Sequence, residues 1–284
     1  MRKMKLYFIS CLVALIFLGQ FTNVNAENIE NDSQKEEYYS ETIYYEGEKL
    51  KEIQPFHADS DESVLVGAVE KVAYISETKN DEGVVIESHL MNAKEVEEYK
   101  KSQLTRDSTH MGDDKASQGR LEILIQVFRE ENKYYRAYGT ATWLLGDGGD
   151  INGQSSGYDF VAITWGGNND LVQTSKNIHG TNHDGSSISF GQAKADSYKG
   201  YCWSFNESFP NFMKSLQAQV QIKRVSDSLK NKQTSMKFTY IHTYQSTTGS
   251  ITLQANSSGL AASVPLSGTT NKWQIEADVP GVTY

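Results

Sequence analysis

Leu216-Gln217-Ala218-Gln219-Val220-Gln221-Ile222-Lys223 decides the fold. Leucine, alanine, valine and isoleucine alternate with three glutamines and a lysine, a period of two. Successive side chains of an extended strand point to opposite faces, so this segment buries one face and shows the other to water. Antiparallel sheets carry that alternation, whereas buried parallel strands read as continuous apolar runs.

The same period recurs on both sides. Upstream, Leu121, Ile123, Ile125 and Val127 share a face, and Arg129-Glu130-Glu131-Asn132 supplies a turn. Tyr135, Ala137, Gly139, Ala141, Trp143 and Leu145 then lie opposite Tyr134, Arg136, Tyr138, Thr140 and Thr142, which completes a hairpin signature. Tyr158–Trp165, Met236–Tyr244, Ser250–Ala255 and Trp273–Val279 read as further strands, separated by glycine and serine/threonine loops. Many strands with no interleaved helices predict an all-β domain over 120–284, an antiparallel β-sandwich.

Before this body the pattern changes. Residues 63–104 predict a small N-terminal hairpin-plus-helix segment. Its parts are a strand from Val64 to Ile75, a turn at Asn80-Asp81-Glu82-Gly83, a strand at Val84-Val85-Ile86 and a helix from Asn92 to Lys101. Asn92 with Glu95 three residues on is a capping-box pattern. Residues 105–119 are polar and read as a linker. Residues 27–62 form an acidic arm in which acids from Glu27 to Glu62 face only Lys35, Lys49 and Lys51. Like charge and low hydrophobicity predict that it is largely disordered. The tyrosines at 38, 39, 44 and 45 predict that part of it docks.

Residues 1–26 have the layout of a secretory signal peptide. Arg2, Lys3 and Lys5 precede an apolar run from Leu6 to Leu18, and Val24-Asn25-Ala26 offers a cleavage site. The run falls short of the roughly 20 residues of a membrane-spanning helix. The expected mature chain starts at Glu27, is secreted to the extracellular space, and has no transmembrane segment after signal cleavage. The formal net charge of −9 sits mostly in the arm. It provides no basic footprint for nucleic acid and no attraction to an anionic membrane surface. Of the two cysteines, Cys11 lies in the signal, so Cys202 has no internal disulfide partner.

Candidate sites are few. Gly146-Asp147-Gly148-Gly149-Asp150-Ile151-Asn152-Gly153 places Asp150 and Asn152 as the first two ligands of a calcium loop, with Asp147 beside them. Positions 5, 6 and 12 are Gln154, Ser155 and Val161, where that loop needs an oxygen ligand, a glycine and a glutamate. A glycine-rich turn is therefore expected. His179 and His183, with Asp184, are metal-ligating types in a run of Gly, Thr and Asn that reads as loop, not as a helix face. No cofactor is expected; calcium is the cation this chemistry would suit. Trp143, Trp165, Trp203 and Trp273 read as sandwich core.

Three resemblances accompany these residues. Cys202-Trp203-Ser204-Phe205 resembles the segment around the papain-family nucleophile. That resemblance implies a thiolate, but Lys199-Gly200-Tyr201 replaces the family's preceding residues and only His242 follows, so Cys202 is expected to pack inertly. Met236–Ala255, alternating Ser/Thr with apolar residues around Gly249, resembles the stem hairpins of aerolysin-like pore-forming toxins. As a whole, the signal, acidic arm and aromatic-rich β domain are similar to uncharacterised exported β-rich proteins of Gram-positive bacteria, which implies no activity. The leading expectation is a secreted, non-enzymatic binding or interaction protein whose partner is a cell-surface glycan or protein. A β-pore-forming toxin-like protein and a secreted hydrolase are the alternatives.

Overall fold

The alternating stretch at 216–223 lies one strand in from the edge of a large antiparallel sheet. A computed structural model describes residues 38–53, 55, 63–82, 85–105, 116–131, 133–144, 158–206, 213–244, 250–255, 262–267 and 271–284. The signal segment, and the arm before residue 38, lie outside them. The elements are β1 (Ser40–Tyr45), β2 (Ser63–Lys79), β3 (Val85–Leu90), α1 (Ala93–Thr105), β4 (Ala116–Glu130), β5 (Tyr134–Leu144), β6 (Tyr158–Trp165), β7 (Leu171–Asn182), β8 (Phe190–Asp196), β9 (Gly200–Asn206), β10 (Met213–Arg224), β11 (Gln233–Thr243), β12 (Ser250–Ile251), β13 (Gln254–Ala255), β14 (Ala262–Ser263), β15 (Leu266–Ser267) and β16 (Lys272–Thr283).

Two sheets form the sandwich. The first has seven strands in the order β1-β2-β4-β5-β10-β7, with β3 also paired to β2; the second has five, β16-β11-β6-β9-β8. The chain is an all-β antiparallel sandwich with one α-helix among the described residues, as its periodicity predicts. The inner faces carry the residues that the alternation selects. Leu121, Ile123, Ile125 and Val127 of β4, Ala137 and Ala141 of β5, and Leu216, Ala218, Val220 and Ile222 of β10 are all buried in one cluster with Val161, Ile163, Phe238 and Ile275. Trp143, Trp165, Trp203 and Trp273 belong to that cluster. At Gly139 the two sheets approach closely. A Cβ there would lie 2.1 Å from Phe238 Cδ2, so the aromatic ring rests on bare β5 backbone.

The N-terminal segments depart from expectation. The hairpin over 63–104 is not a separate unit: β2 pairs with β4 from Ser63↔Glu130 to Thr78↔Ala116. Val69, Ala73 and Ile75 enter the main core, and that burial makes β2 a body strand. Of the expected linker 105–119, residues 116–119 belong to β4 and 106–115 lie outside the described residues. The acidic arm contributes β1, which pairs with β2 from Ser40↔Ala73 to Tyr45↔Ala68. Its aromatics explain the order. Tyr39 packs on Tyr74 at 5.9 Å between ring centroids, and the Tyr45 hydroxyl donates to Glu70 at 3.0 Å. Lys100 of α1 reaches Glu41 at 2.6 Å, and Tyr74 donates to the same carboxylate.

Helix α1 starts as its capping box dictates. Asn92 Oδ1 accepts from the amides of Lys94 and Glu95, and Glu95 Oε2 accepts from Asn92 N–H at 2.7 Å. Three backbone donors at the helix start are thereby satisfied, those of Asn92 and Glu95 reciprocally. Val96 and Tyr99 bury against Tyr74 and Met91.

Candidate functional site

Three places in the molecule hold chemistry that a plain sandwich does not need. The first is a sealed polar cluster at one end of the core. The inward phase of β2 runs Ala73, Ile75, Glu77. That of β6 runs Trp165, Ile163, Val161, Asp159, and that of β11 runs Met236, Phe238, Tyr240, His242. In each strand the apolar alternation ends on a titratable residue, and Glu77, Asp159 and His242 are all fully buried.

Asp159 organises this cluster. Its Oδ2 accepts from the Tyr240 hydroxyl at 2.6 Å and lies 2.8 Å from His242 Nδ1; its Oδ1 accepts from Thr243 N–H at 2.9 Å. His242 Nε2 is 3.7 Å from Glu77 Oε1. Trp273 stacks on the imidazole, 4.9 Å between centroids, and its Nε1 donates to Ser88 Oγ at 2.8 Å. Burial by itself would lower the His242 pKa. The charge and hydrogen bond of Asp159, with the charge of Glu77, outweigh burial and raise it. Burial raises the Glu77 carboxyl, and His242 and Lys79 pull the other way. A carboxylate–imidazole–carboxylate arrangement is the raw material of acid–base catalysis. Here no member reaches the surface, so the cluster ties β2, β6 and β11 together at one end of the sandwich.

The second place is the outward face of β5, β10 and β7. Cross-strand partners share a face, so the registers set out rows: Thr142–Ser215–Thr181, Thr140–Gln217–His179, Tyr138–Gln219–Asn177 and Arg136–Gln221–Ser175. One end is fixed by a network. Glu130 takes both Arg136, 2.6 Å from Nε, and Gln221 Nε2 at 2.7 Å, while Thr174 donates to Gln221 Oε1 at 2.8 Å. Among the described residues, the side chains of Gln217, Gln219 and His179 make no hydrogen bond. Gln217 and Gln219 are half-buried and His179 is exposed, so their donors and acceptors face outward from a rigid floor.

His179 and His183 therefore stand differently from the loop that their neighbours predict. His179 is in β7, paired with Gln217 of β10. Gly180 makes the strand possible, because a Cβ there would meet Ile188, Leu216 and the Ser215 carbonyl, each at 3.0 Å. His183 opens the turn after β7. Asp184 is committed to that turn through the Ser186 amide at 2.8 Å and hydroxyl at 2.6 Å. The run forms no joint site, and no metal-holding group of His, Cys, Asp and Glu is present among the described residues. Asp147, Asp150 and Asn152 lie outside the described residues.

The third place is the outer face of the second sheet. Ala162, Cys202 and Ile241 lie there beneath Leu253, Val264 and Leu266, a cluster distinct from the main core. Cys202 is fully buried, and burial pushes its thiol far up. Its buried cluster neighbours are aliphatic, with half-buried Phe160 packed against them. Tyr201, Trp203 and Phe205 belong to the main core, because neighbouring residues of a strand face opposite ways. Elsewhere, a shallow cleft of about 320 Å3 lies between α1 and the first sheet, lined by Ser76, Met91, Glu95, Glu98, Tyr99, Ser102 and Gln118. Glu95 there is engaged by His89 at 3.0 Å and by the helix cap.

Sequence reading passed over Glu77, Asp159 and the rows on β7, β10 and β5. The signal for the cluster was present: a charged residue standing in the apolar phase of a strand. The signal for the rows was the glutamine set itself, whose neighbours on β7 only the register reveals.

No family model matches the chain, and no curated protein matches it. Among solved structures, collagen adhesin (CNA) from S. aureus aligns over 76% of this chain and 91% of that chain, at 7% identity and a TM-score of 0.27. A likeness of that size carries no argument about function.

Proposed function

We propose that this chain is an exported, non-enzymatic binding module that holds a cell-surface glycan on the outward face of β5, β10 and β7. One observation carries the reading. Residue types suited to acid–base chemistry are sealed in the core at Glu77, Asp159 and His242, whereas amide and imidazole groups with no side-chain hydrogen bond among the described residues stand in register on the outward, partly exposed face of β10 and β7. A glutamine amide offers both a donor and an acceptor in one plane, the complement of a sugar hydroxyl pair. Tyr134, half-buried at the end of the same face, adds an aromatic flank. Export rests on the signal-like segment 1–26, with cleavage after Ala26. The reading calls for no metal or cofactor, so thermal melts with and without a chelator should coincide.

A glycan array probed with the mature chain tests the proposal. Retention on a defined set of glycans is expected, with loss in the Gln217→Ala/Gln219→Ala variant while its melting curve stays that of the parent. Retention unchanged in that variant, or turnover of any glycan on the array, would refute it.

A further inference from the structure

The cleft between α1 and the first sheet is lined by groups that the fold leaves unused. Its floor follows from register. Ser76 of β2 pairs with His89 of β3 on one side and Gln118 of β4 on the other, so the three share the outward face against which α1 packs. The helix supplies a wall with Glu95, Glu98, Tyr99 and Ser102, Met91 lies at the base, and the volume is about 320 Å3. Met91 and Tyr99 are buried and make that base apolar.

The polar lining is all acceptor or neutral. Among the described residues, the Ser76 hydroxyl and the Gln118 amide make no hydrogen bond. Ser102 Oγ donates to the Tyr99 carbonyl at 2.7 Å, which leaves its lone pairs as acceptors. Glu98 has Lys94 3.9 Å away, both side chains well exposed, a pairing that contributes little. Burial pushes the Glu95 carboxyl up, but the Asn92 amide and His89 hold it below the usual carboxylate range, so it stays charged. No Lys, Arg or His side chain is among the described residues that line the cleft. The lysines at the far end of α1 face other carboxylates, Lys100 at Glu41 and Lys101 at Glu97. The last turn of α1 carries no basic residue to offset the negative end of its dipole.

We propose that this cleft binds a primary ammonium carried on a short alkyl stem, with the stem on Met91 and Tyr99 and the ammonium at Glu98, Ser76 and Gln118. A primary ammonium has three donors and no acceptor. Glu98, the Ser76 hydroxyl and the Gln118 carbonyl oxygen offer three acceptors, and the charge-assisted bond to Glu98 is the strongest of them. A quaternary ammonium has no N–H to give and forfeits all three. The volume stands at the low end of small-molecule pockets, about 300–1,000 Å3, and suits a few heavy atoms. A free alkylamine and the lysine side chain of another protein both carry this chemistry. The cleft lies on β2, β3 and β4 and shares no residue with the face of β5, β10 and β7, so it stands apart from glycan binding.

The test follows methyl resonances of the mature chain isotope-labelled at methionine. n-Butylammonium should shift Met91 to saturation while Met213 and Met236 of the main core stay fixed. 1-Butanol and tetramethylammonium should leave Met91 where it is. Glu98→Gln, at an exposed helix position, should keep the melting curve of the parent and weaken binding about tenfold, the loss of one charged hydrogen bond. Nα-Acetyl-lysine methylamide separates the two sources. If it saturates Met91 with the same dependence on Glu98, the site takes a lysine side chain; if only n-butylammonium does so, the site takes a free amine; the ammonium assignment holds in both cases. Equal shifts with 1-butanol, unchanged affinity in Glu98→Gln, movement of Met213 and Met236 along with Met91, or no shift with either amine would overturn the proposal.

Discussion

Asp159→Ala removes the acceptor that three buried groups share: the Tyr240 hydroxyl, His242 Nδ1 and the Thr243 amide. A buried donor left without its partner costs about 1–3 kcal/mol, and breaking a buried ion pair by deleting one member costs about 3–5 kcal/mol. The terms overlap at His242, so we expect a net loss of roughly 4–5 kcal/mol, a large share of the roughly 5–15 kcal/mol that holds a domain together. At roughly 2–4 °C per kcal/mol for a chain of this size, the melting temperature should fall by about 10–20 °C. Asp159→Asn keeps the shape and one acceptor oxygen and should lose about half as much. Urea unfolding of parent, Asp159→Asn, His242→Gln and the double variant closes a cycle, and a coupling above about 1 kcal/mol is expected. A loss below about 1 kcal/mol for Asp159→Ala would refute the claim that this cluster ties β2, β6 and β11 together.

Stability should fall as pH rises from mildly acidic to alkaline. The folded state holds the His242 and Glu77 protons more tightly than the unfolded chain does. Their contributions are complete below the ordinary values, about 6.5 for imidazole and 4.3 for Glu, and drain as pH passes the raised ones. Urea midpoints at pH 5, 7 and 9 check this, and a midpoint that climbs toward pH 9 contradicts it. Cys202 should react slowly with a thiol reagent in the folded protein and quickly after denaturation, and Val264→Ala should speed the native reaction by thinning the hairpin cover. Gly139→Ala should cost about 1–3 kcal/mol through collision with the Phe238 ring. Adding Phe238→Leu should recover part of that in a thermal melt.

The sandwich was legible because its central strands alternate without interruption, and Leu216–Lys223 needs no partner to be read as half-buried. The capping box at Asn92 was legible for the same local reason. The edge strands were less so. β7 turns Ser175, Asn177 and His179 outward, residue types that look like loop, and only pairing with β10 holds it straight. β1 hides in acidic sequence because its order comes from tyrosines that reach β2 and α1, contacts distant in the chain. The sealed cluster draws one residue each from β2, β6 and β11, and no local pattern connects Glu77 to His242.

The account turns on where a ligand sits, and side-chain amide resonances report that most directly. The mature chain, labelled at glutamine side chains and titrated with a glycan retained on the array, should show shifts at Gln217 and Gln219 that saturate together, with Gln254 of the hairpin and Gln118 of the cleft unmoved. Shifts at Gln118 or Gln254 with Gln217 and Gln219 silent would contradict the assignment of the binding face to β5, β10 and β7.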